Sequence, residues 1–385
     1  MNNWKKCKLG DIAEILNNKR IPLNTMQRQK MKGEYPYYGA SGIIDYVNDY
    51  LFDGEYVLIS EDGENLKSRK TPIAFKASGK FWVNNHAHII KGKMDFQNDL
   101  IVYIFKNIDL NPYLTGAVQP KLNKENLLDI DFYLPPLEEQ RQIAAILSSI
   151  DDKIELLHEQ NKTLEELAQT LFVNWFKDKE FDSTIGDFIS IQNGFAFKSK
   201  DFIDYGDNGV IKIKNISNGI VDIVNTDKIS QETTNEVNDK FKISSGDILF
   251  AMTGAEIGKM GIVPNTNKKL WLNQRVGMVK ERFLGARFLA YIHLTSEFGY
   301  DYIINSATGS AQENISVTDI ENCPFVKLTS EEIVSYSKQL NDFFEKIISN
   351  LGEIQTLENM RDILIPKLLN GEIKINNQRR RNGKK

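Results

Sequence analysis

Residues able to do chemistry are thinly spread in this 385-residue chain. The stretch GAEIGKMG (254–261) has the glycines and lysine of a phosphate-cradling loop. It is one residue short before Gly-Lys and lacks the following Ser or Thr, so it reads as a turn between strands. NPYL (111–114) has only one of the two prolines of an amino-methyltransferase motif, and no glycine-rich cofactor loop precedes it. His86 and His88 can share one strand face, but with four histidines in the chain and no cysteine nearby they read as surface or packing residues rather than metal ligands. Glu372 and Lys374 in GEIK copy part of a nuclease motif without an upstream carboxylate partner. Cys7 and Cys323 are the only cysteines, which argues against a disulfide framework and for two reduced thiols in a cytoplasmic protein. No constellation for catalysis or metal binding emerges. The sequence speaks for a non-enzyme.

The elements that would carry binding residues are clearer. From Ile143 the apolar positions follow a 4,3,4,3 spacing: Ile143, Leu147, Ile150, Ile154, Leu157, Asn161, Leu164, Ala168, Leu171 and Trp175. This is a coiled-coil seam. Pro136 suits the first turn, and Glu138 and Glu139 complement the helix dipole. Run to Phe176, the helix spans roughly 58 Å at ~1.5 Å per residue. A second seam follows near the C-terminus: Tyr336, Leu340, Phe343, Ile347, Asn350, Ile354, Leu357, Arg361, Leu364 and Leu368. Thr329 and Glu332 have capping-box spacing at its start, and Pro366 is expected to kink or end it. Each seam holds one polar Asn, a register-setting device. The simplest pairing is antiparallel, one helix against the other.

Internal similarity extends beyond the helices. KLGDIAEI (8–15) resembles TIGDFISI (184–191), and GEYVLI (54–59) resembles GDILFA (246–251). WVNNH (82–86) matches WLNQR (271–275), TGAVQ (115–119) matches TGSAQ (308–312), and YYGASGII (37–44) is laid on KNISNGIV (214–221). The chain is therefore read as a diverged repeat. Its expected segments are a first head (1–137), a central helix (138–178), a second head (179–329), a C-terminal helix (330–370) and a basic tail (371–385). β-prone runs YVLIS, PIAFKA and HAHIIKG in the first head, and VIKIK, DILFAM and VGMVKE in the second, alternate with turns, with short helices near 99–106 and 286–294. The fold class is α+β: two similar mixed α/β heads, separated by two long helices in an antiparallel coiled coil, in a pseudo-two-fold arrangement.

The formal net charge is −4, and the acidity gathers in 138–178, which has four basic and nine acidic residues. Near-neutral heads can still carry basic faces. No apolar run reaches the length of a membrane span. Two related heads held apart by a rod suit a bivalent reader of a periodic target. Duplex DNA is such a target, with half-sites about 34–36 Å apart per turn.

The combined pattern resembles the specificity subunit of a Type I restriction–modification enzyme. The resemblance is carried by LPPLEEQRQIAAILSSIDDKI (134–154), IPKLLNGEI (365–373), YPYYGASGI (35–43), GDILFAMTGAEIGKMGIV (246–263), LNQR (272–275) and NGFAFKS (193–199). LTSEEIVSYSKQL (328–340) departs from it where the family often repeats Pro-Leu-x-Glu-Gln. The resemblance implies a non-catalytic subunit whose heads are two target recognition domains for double-stranded DNA. It also implies two methyltransferase partners and joining restriction/translocase subunits. S-adenosylmethionine, ATP and Mg would sit in those partners and no cofactor in this chain. The rival class is a coiled-coil adaptor whose heads bind proteins.

Base edges favour Arg, Lys, Asn and Gln, and phosphates favour Lys and Arg. The DNA-binding candidates are Lys19, Arg20, Lys67, Arg69 and Lys70 in the first head. In the second they are Lys198, Lys200, Lys214, Asn215 and Lys259. Gly39, Gly42 and Gly254 are read as turn formers. Phe172, Trp175 and Phe176 are expected to pack against a head or a partner, and RRRNGKK (379–385) offers further phosphate contact.

Overall fold

The computed structural model describes residues 3–116, 118–308 and 313–375. The basic run 379–385 and most of TGSAQ lie outside the described residues, as does Ala117 of TGAVQ. The chain forms two compact units: residues 1–152 with 358–385, and residues 153–357. Each contains one head and a stretch of both long helices.

In the first unit, strands Ala13–Ile15, Ala87–Gly92, Tyr56–Ser60 and Ala74–Ala77 lie in that spatial order, all antiparallel. A second sheet orders Gly42–Val47, Lys32–Gly39, Lys80–Val83 and Phe52–Asp53, with one parallel pair that sets Tyr37 beside Trp82. Strand Lys5–Lys8 pairs with Asp131–Leu134. Helix Phe96–Asn107 covers the first sheet, burying Leu100, Ile101, Ile104 and Phe105. β-Branched and aromatic residues line both sheets because they pack well on a pleated surface.

The second unit repeats this plan. Ile189–Asn193, Val276–Glu281, Ile248–Ala251 and Met260–Ile262 stand where the four strands of the first sheet stand, extended by Gly219–Val221 and Ile216–Ser217. The other sheet orders Phe202–Ile203, Asp227–Ile229, Asn208–Ile211, Lys269–Leu272 and Lys242–Ile243. Its parallel pair sets Val210 beside Trp271. Ser183–Thr184 pairs with Pro324–Phe325, and helix Ala286–Thr295 matches Phe96–Asn107. The parallel pairs correct one expected match: Tyr37 corresponds to Val210, so laying YYGASGII on KNISNGIV runs four residues too far along the second head. Both segments have a glycine at positive φ, Gly42 and Gly219, and that shared turn chemistry created the false register.

The long helices are Leu137–Phe176 and Ser330–Leu369. Thr329 and Glu332 form the reciprocal cap, with the Thr329 amide donating to Glu332 Oε2 at 2.9 Å and the Glu332 amide to Thr329 Oγ1 at 3.2 Å. Pro366 lies inside the last turn without ending the helix. In the first unit Ile143, Ala144 and Leu147 share a core with Ile365 and Leu368, and Arg361 Nη1 donates to Asp151 Oδ1 at 2.8 Å. In the second, Asn161 meets Asn350, Lys153 lies 3.4 Å from Glu353, and the rings of Trp175 and Tyr336 are 4.7 Å apart. Numbers rise in one helix as they fall in the other, so the pairing is antiparallel in both units.

Ile143, Leu147, Ile150, Ile154, Leu157 and Asn161 are buried, as are Leu340, Ile347, Asn350 and Ile354. Leu164, Leu171, Phe343, Leu357 and Leu364 are only partly buried, and Phe172, Phe344, Ile348 and Ile365 take the deeper places beside them. The reason is a second neighbour. Phe344 stacks on Phe288 of the second head, with centroids 4.3 Å apart, and Phe172 and Phe176 pack on Phe325. A helix wedged between a partner helix and a head needs a wider apolar face than a two-position seam.

Candidate nucleic-acid interface

Three segments converge at one end of each head, and the backbone that holds them is the same in both. In the first head the Glu61 amide donates to the His86 carbonyl (2.8 Å), the Leu122 amide to the Glu61 carbonyl (2.8 Å), and the Gly63 amide to the Pro120 carbonyl (3.1 Å). In the second, the Met252 amide donates to the Arg275 carbonyl (3.2 Å), the Ile315 amide to the Met252 carbonyl (3.1 Å), and the Gly254 amide to the Glu313 carbonyl (2.9 Å). Isolated bridges join Asp62 to Lys121 and Thr115 to Lys121, and likewise Thr253 to Asn314 and Thr308 to Asn314. A turn after a core strand, an Asn-X-X turn and the bridged pair Thr115–Lys121 or Thr308–Asn314 are thus tied together twice.

Asn84 and Asn273 make the middle turn. The Asn84 Oδ1 accepts from the His86 amide (2.8 Å) and the Asn273 Oδ1 from the Arg275 amide (3.3 Å). Both asparagines are buried, so the two residues after each are thrust outward. Those residues are Asn85 and His86 in one head, Gln274 and Arg275 in the other, all exposed. At Gly194 a Cβ would lie 2.2 Å from the Asn273 carbonyl oxygen, which requires glycine beneath the turn.

On this common frame the chemistry differs. The first head is charged and self-compensating: Arg20 Nη1 donates to Glu61 Oε2 (2.7 Å), Lys121 Nζ lies 3.3 Å from Glu61, and His86 Nδ1 meets Asp62 at 2.9 Å. Burial works against the Glu61 carboxylate, but Arg20, His88 and Lys121 outweigh it and hold it below the usual carboxylate range. Buried His88 bridges Asn17 (2.8 Å) and the Leu122 carbonyl (2.7 Å), and burial lowers its pKa. The second head offers Arg275 and Gln274, with Lys259 paired to Glu256. Arg275 has no side-chain hydrogen bond or ion pair among the described residues.

Of the ten candidates, Lys19, Lys67, Lys70, Lys198 and Lys200 are exposed and their ammonium groups have no ion pair among the described residues. Lys214 and Lys259 are exposed but paired with Asp227 and Glu256. Three candidates are engaged within the head itself. Arg20 is spent on Glu61 and on the carbonyls of Ala87 (2.9 Å) and Asn85 (3.3 Å). Arg69, at φ 49°, donates to the carbonyls of Phe105, Lys106 and Ile108 and so closes the C-terminus of helix Phe96–Asn107. Asn215 is buried, accepting from the Lys212 amide (3.0 Å) and donating to the Asn225 carbonyl (2.9 Å). Guanidinium and amide groups can meet several backbone partners at once, and all three do so here, Asn215 buried, Arg20 part-buried and Arg69 still exposed. Gln274 and Arg275 went unselected, although the WVNNH/WLNQR match pointed to them. Among the described residues no His/Cys/Asp/Glu group is arranged to hold a metal, and no helix is long and apolar enough to cross a membrane.

The family model for the Type I restriction modification DNA specificity domain matches this sequence over residues 1–166 and 177–359. The chain belongs to that family. It is 25% identical over 416 residues to the Type I restriction enzyme MjaIX specificity subunit of Methanocaldococcus jannaschii, covering 97% of this chain and 94% of that one. It is 40% identical over 147 residues to the putative type I restriction enzyme specificity subunit S.HindORF215P of Haemophilus influenzae, a match spanning 38% of this chain and 37% of that one. The crystal structure of the S subunit of a Type-I restriction-modification system from M. genitalium superposes with a TM-score of 0.62 at 13% identity, over 97% of both chains. That likeness concerns the fold. The two family matches fall one on each head, in agreement with the doubled hydrogen-bond frame.

Proposed function

We propose that this chain is the DNA sequence-recognition subunit of a Type I restriction–modification complex and has no catalytic role of its own. Each head reads one half of a bipartite, asymmetric site in double-stranded DNA. The carrying observation is the three-segment frame, which occurs twice with the same backbone bonds and different side chains. A common frame suits a common task, and divergent side chains suit two different half-sites.

The paired helices fix the gap between the half-sites and, with their outward faces, dock two methyltransferase subunits; restriction/translocase subunits join that core. S-adenosylmethionine, ATP and Mg are then bound by the partners, and the complex works on DNA in the cytoplasm. Exposed Lys19, Lys67, Lys70, Lys198 and Lys200 supply contacts to phosphates in this reading. The test is co-expression with a cognate adenine methyltransferase subunit followed by methylome sequencing. A bipartite asymmetric motif that appears only when this chain is present is the expected result. Methylation unchanged by deleting this chain defeats the reading.

A further inference from the structure

A frame present in both heads cannot by itself tell the half-sites apart, so discrimination must come from what meets the frame and differs. One segment does both. The Asn84 amide donates to the Tyr38 carbonyl (3.0 Å) and the Asn273 amide to the Ile211 carbonyl (3.2 Å), so the chain reaches the Asn turn at the same point in each head. Beyond that point the heads part. The first makes a tight turn through Gly39, Ala40, Ser41 and Gly42, tied down by Ser60 Oγ donating to the Ala40 carbonyl (2.6 Å). It presents only small side chains. The second continues as Lys212, Ile213, Lys214 and Asn215.

The Lys212–Asn215 turn is built to hold a cation still. Asn215 pins it from beneath, through the Lys212 amide, the Asn225 carbonyl and an Asp222 amide donating to the Asn215 carbonyl (2.7 Å). Asp227, opposite Val210 on the neighbouring strand, takes both ammonium groups: Lys212 at 2.6 Å and Lys214 at 2.5 Å. Lys212 also lies 3.8 Å above the Phe202 ring, and its side chain is 31% exposed, so it is held closer to the head than Lys214. Lys214 differs. Its side chain is 58% exposed, and an ammonium has three donors of which Asp227 takes one. Two N–H groups remain on a positioned cation, the arrangement that suits guanine O6 and N7 in the major groove.

We propose that the segment after the shared ladder, Gly39–Gly42 in the first head and Lys212–Asn215 in the second, makes the two heads read different base pairs, with Lys214 contacting a guanine and Asp227 as its positioning residue. This rests on the DNA-recognition reading above and specifies one of its contacts. Arg275, at the place of His86 in the shared frame, is left to the DNA backbone.

The test uses the full chain co-expressed with its methyltransferase partner, with methylome sequencing and duplex-binding titrations over a salt series. Lys214→Ala, and Lys214→Met, which keeps the aliphatic stem, lose about tenfold to a hundredfold discrimination at one G·C pair of one half-site. The other half-site stays intact, and Lys214→Arg retains the preference. Asp227→Asn relaxes the same position while tightening binding to unrelated duplex, because a carboxylate is removed and the lysines are freed. A purely structural role for Asp227 predicts weaker binding everywhere. An unchanged motif with uniformly weaker binding in Lys214→Ala and Lys214→Met makes Lys214 a phosphate ligand and overturns the proposal. If the wild-type complex yields no bipartite motif, the parent reading fails instead.

Discussion

Asn350 Nδ2 donates to Asn161 Oδ1 across the paired helices at 2.8 Å, and a second bond of 2.8 Å reaches Gln160 Oε1. Both asparagines are buried, and Asn161 Nδ2 and Asn350 Oδ1 have no partner among the described residues. The pair costs stability relative to an apolar pair, and its one bond across the helices forms in one register only. Replacing Asn350 with Leu leaves Asn161 Oδ1 and Gln160 Oε1 without their donor and destabilises the chain by roughly 1–3 kcal/mol. The double change Asn161→Leu, Asn350→Leu recovers that loss while allowing register slippage. Urea unfolding measures the first effect, and cysteine cross-linking along the helices reports the second.

Lys67, Arg69 and Lys70 are neighbours in sequence with separate duties. Lys67→Ala with Lys70→Ala weakens DNA binding and flattens its salt dependence while leaving thermal unfolding unchanged. Arg69→Ala exposes three carbonyls at the end of helix Phe96–Asn107 and lowers stability by about 1–2 kcal/mol, since bonds from a charged donor are lost. A salt-resolved binding assay set beside a melting curve separates the two.

Glu165 sits half-buried on the central helix in the second unit, lining a small cavity with Gln169, Tyr291, Thr295 and Phe344. No ion pair or hydrogen bond compensates it among the described residues, and burial raises its pKa. A carboxyl whose folded pKa lies above its unfolded value opposes folding when ionised, and that penalty disappears as pH falls through the folded pKa. Glu165→Gln therefore raises the melting temperature at pH 8, and the difference from the wild type closes as the pH is brought down toward 4.5. Parallel melting curves across that range check the sign.

The matched 40-residue helices suggest a ruler. Four residues inserted into each lengthen it by ~6 Å and are expected to widen the gap in the recognised site without altering either half. Methylome sequencing of the insertion variant decides: an unchanged gap with retained methylation removes the ruler role.

Much of this architecture was legible in the residues. The heptads placed both long helices, because apolar spacing on a helix is local and survives divergence. The matches at 54–59 and 82–86 fall on strands and an Asn turn with the same place in both heads, since their asparagines and β-prone residues answer to backbone geometry. The counterpart of 115–119 lies largely outside the described residues. Two things depended on tertiary structure. The width of the buried helix face came from Phe344 and Phe172 meeting the second head, which a two-position seam pattern does not contain. The fate of each basic residue was the other. Arg20, Arg69 and Lys67 are alike as letters, yet the first two meet carbonyls or a carboxylate brought close by folding and the third meets solvent. Residue type determines which charges are available. Only the fold determines which acceptors lie within 3 Å of them, and so which charges remain free for DNA.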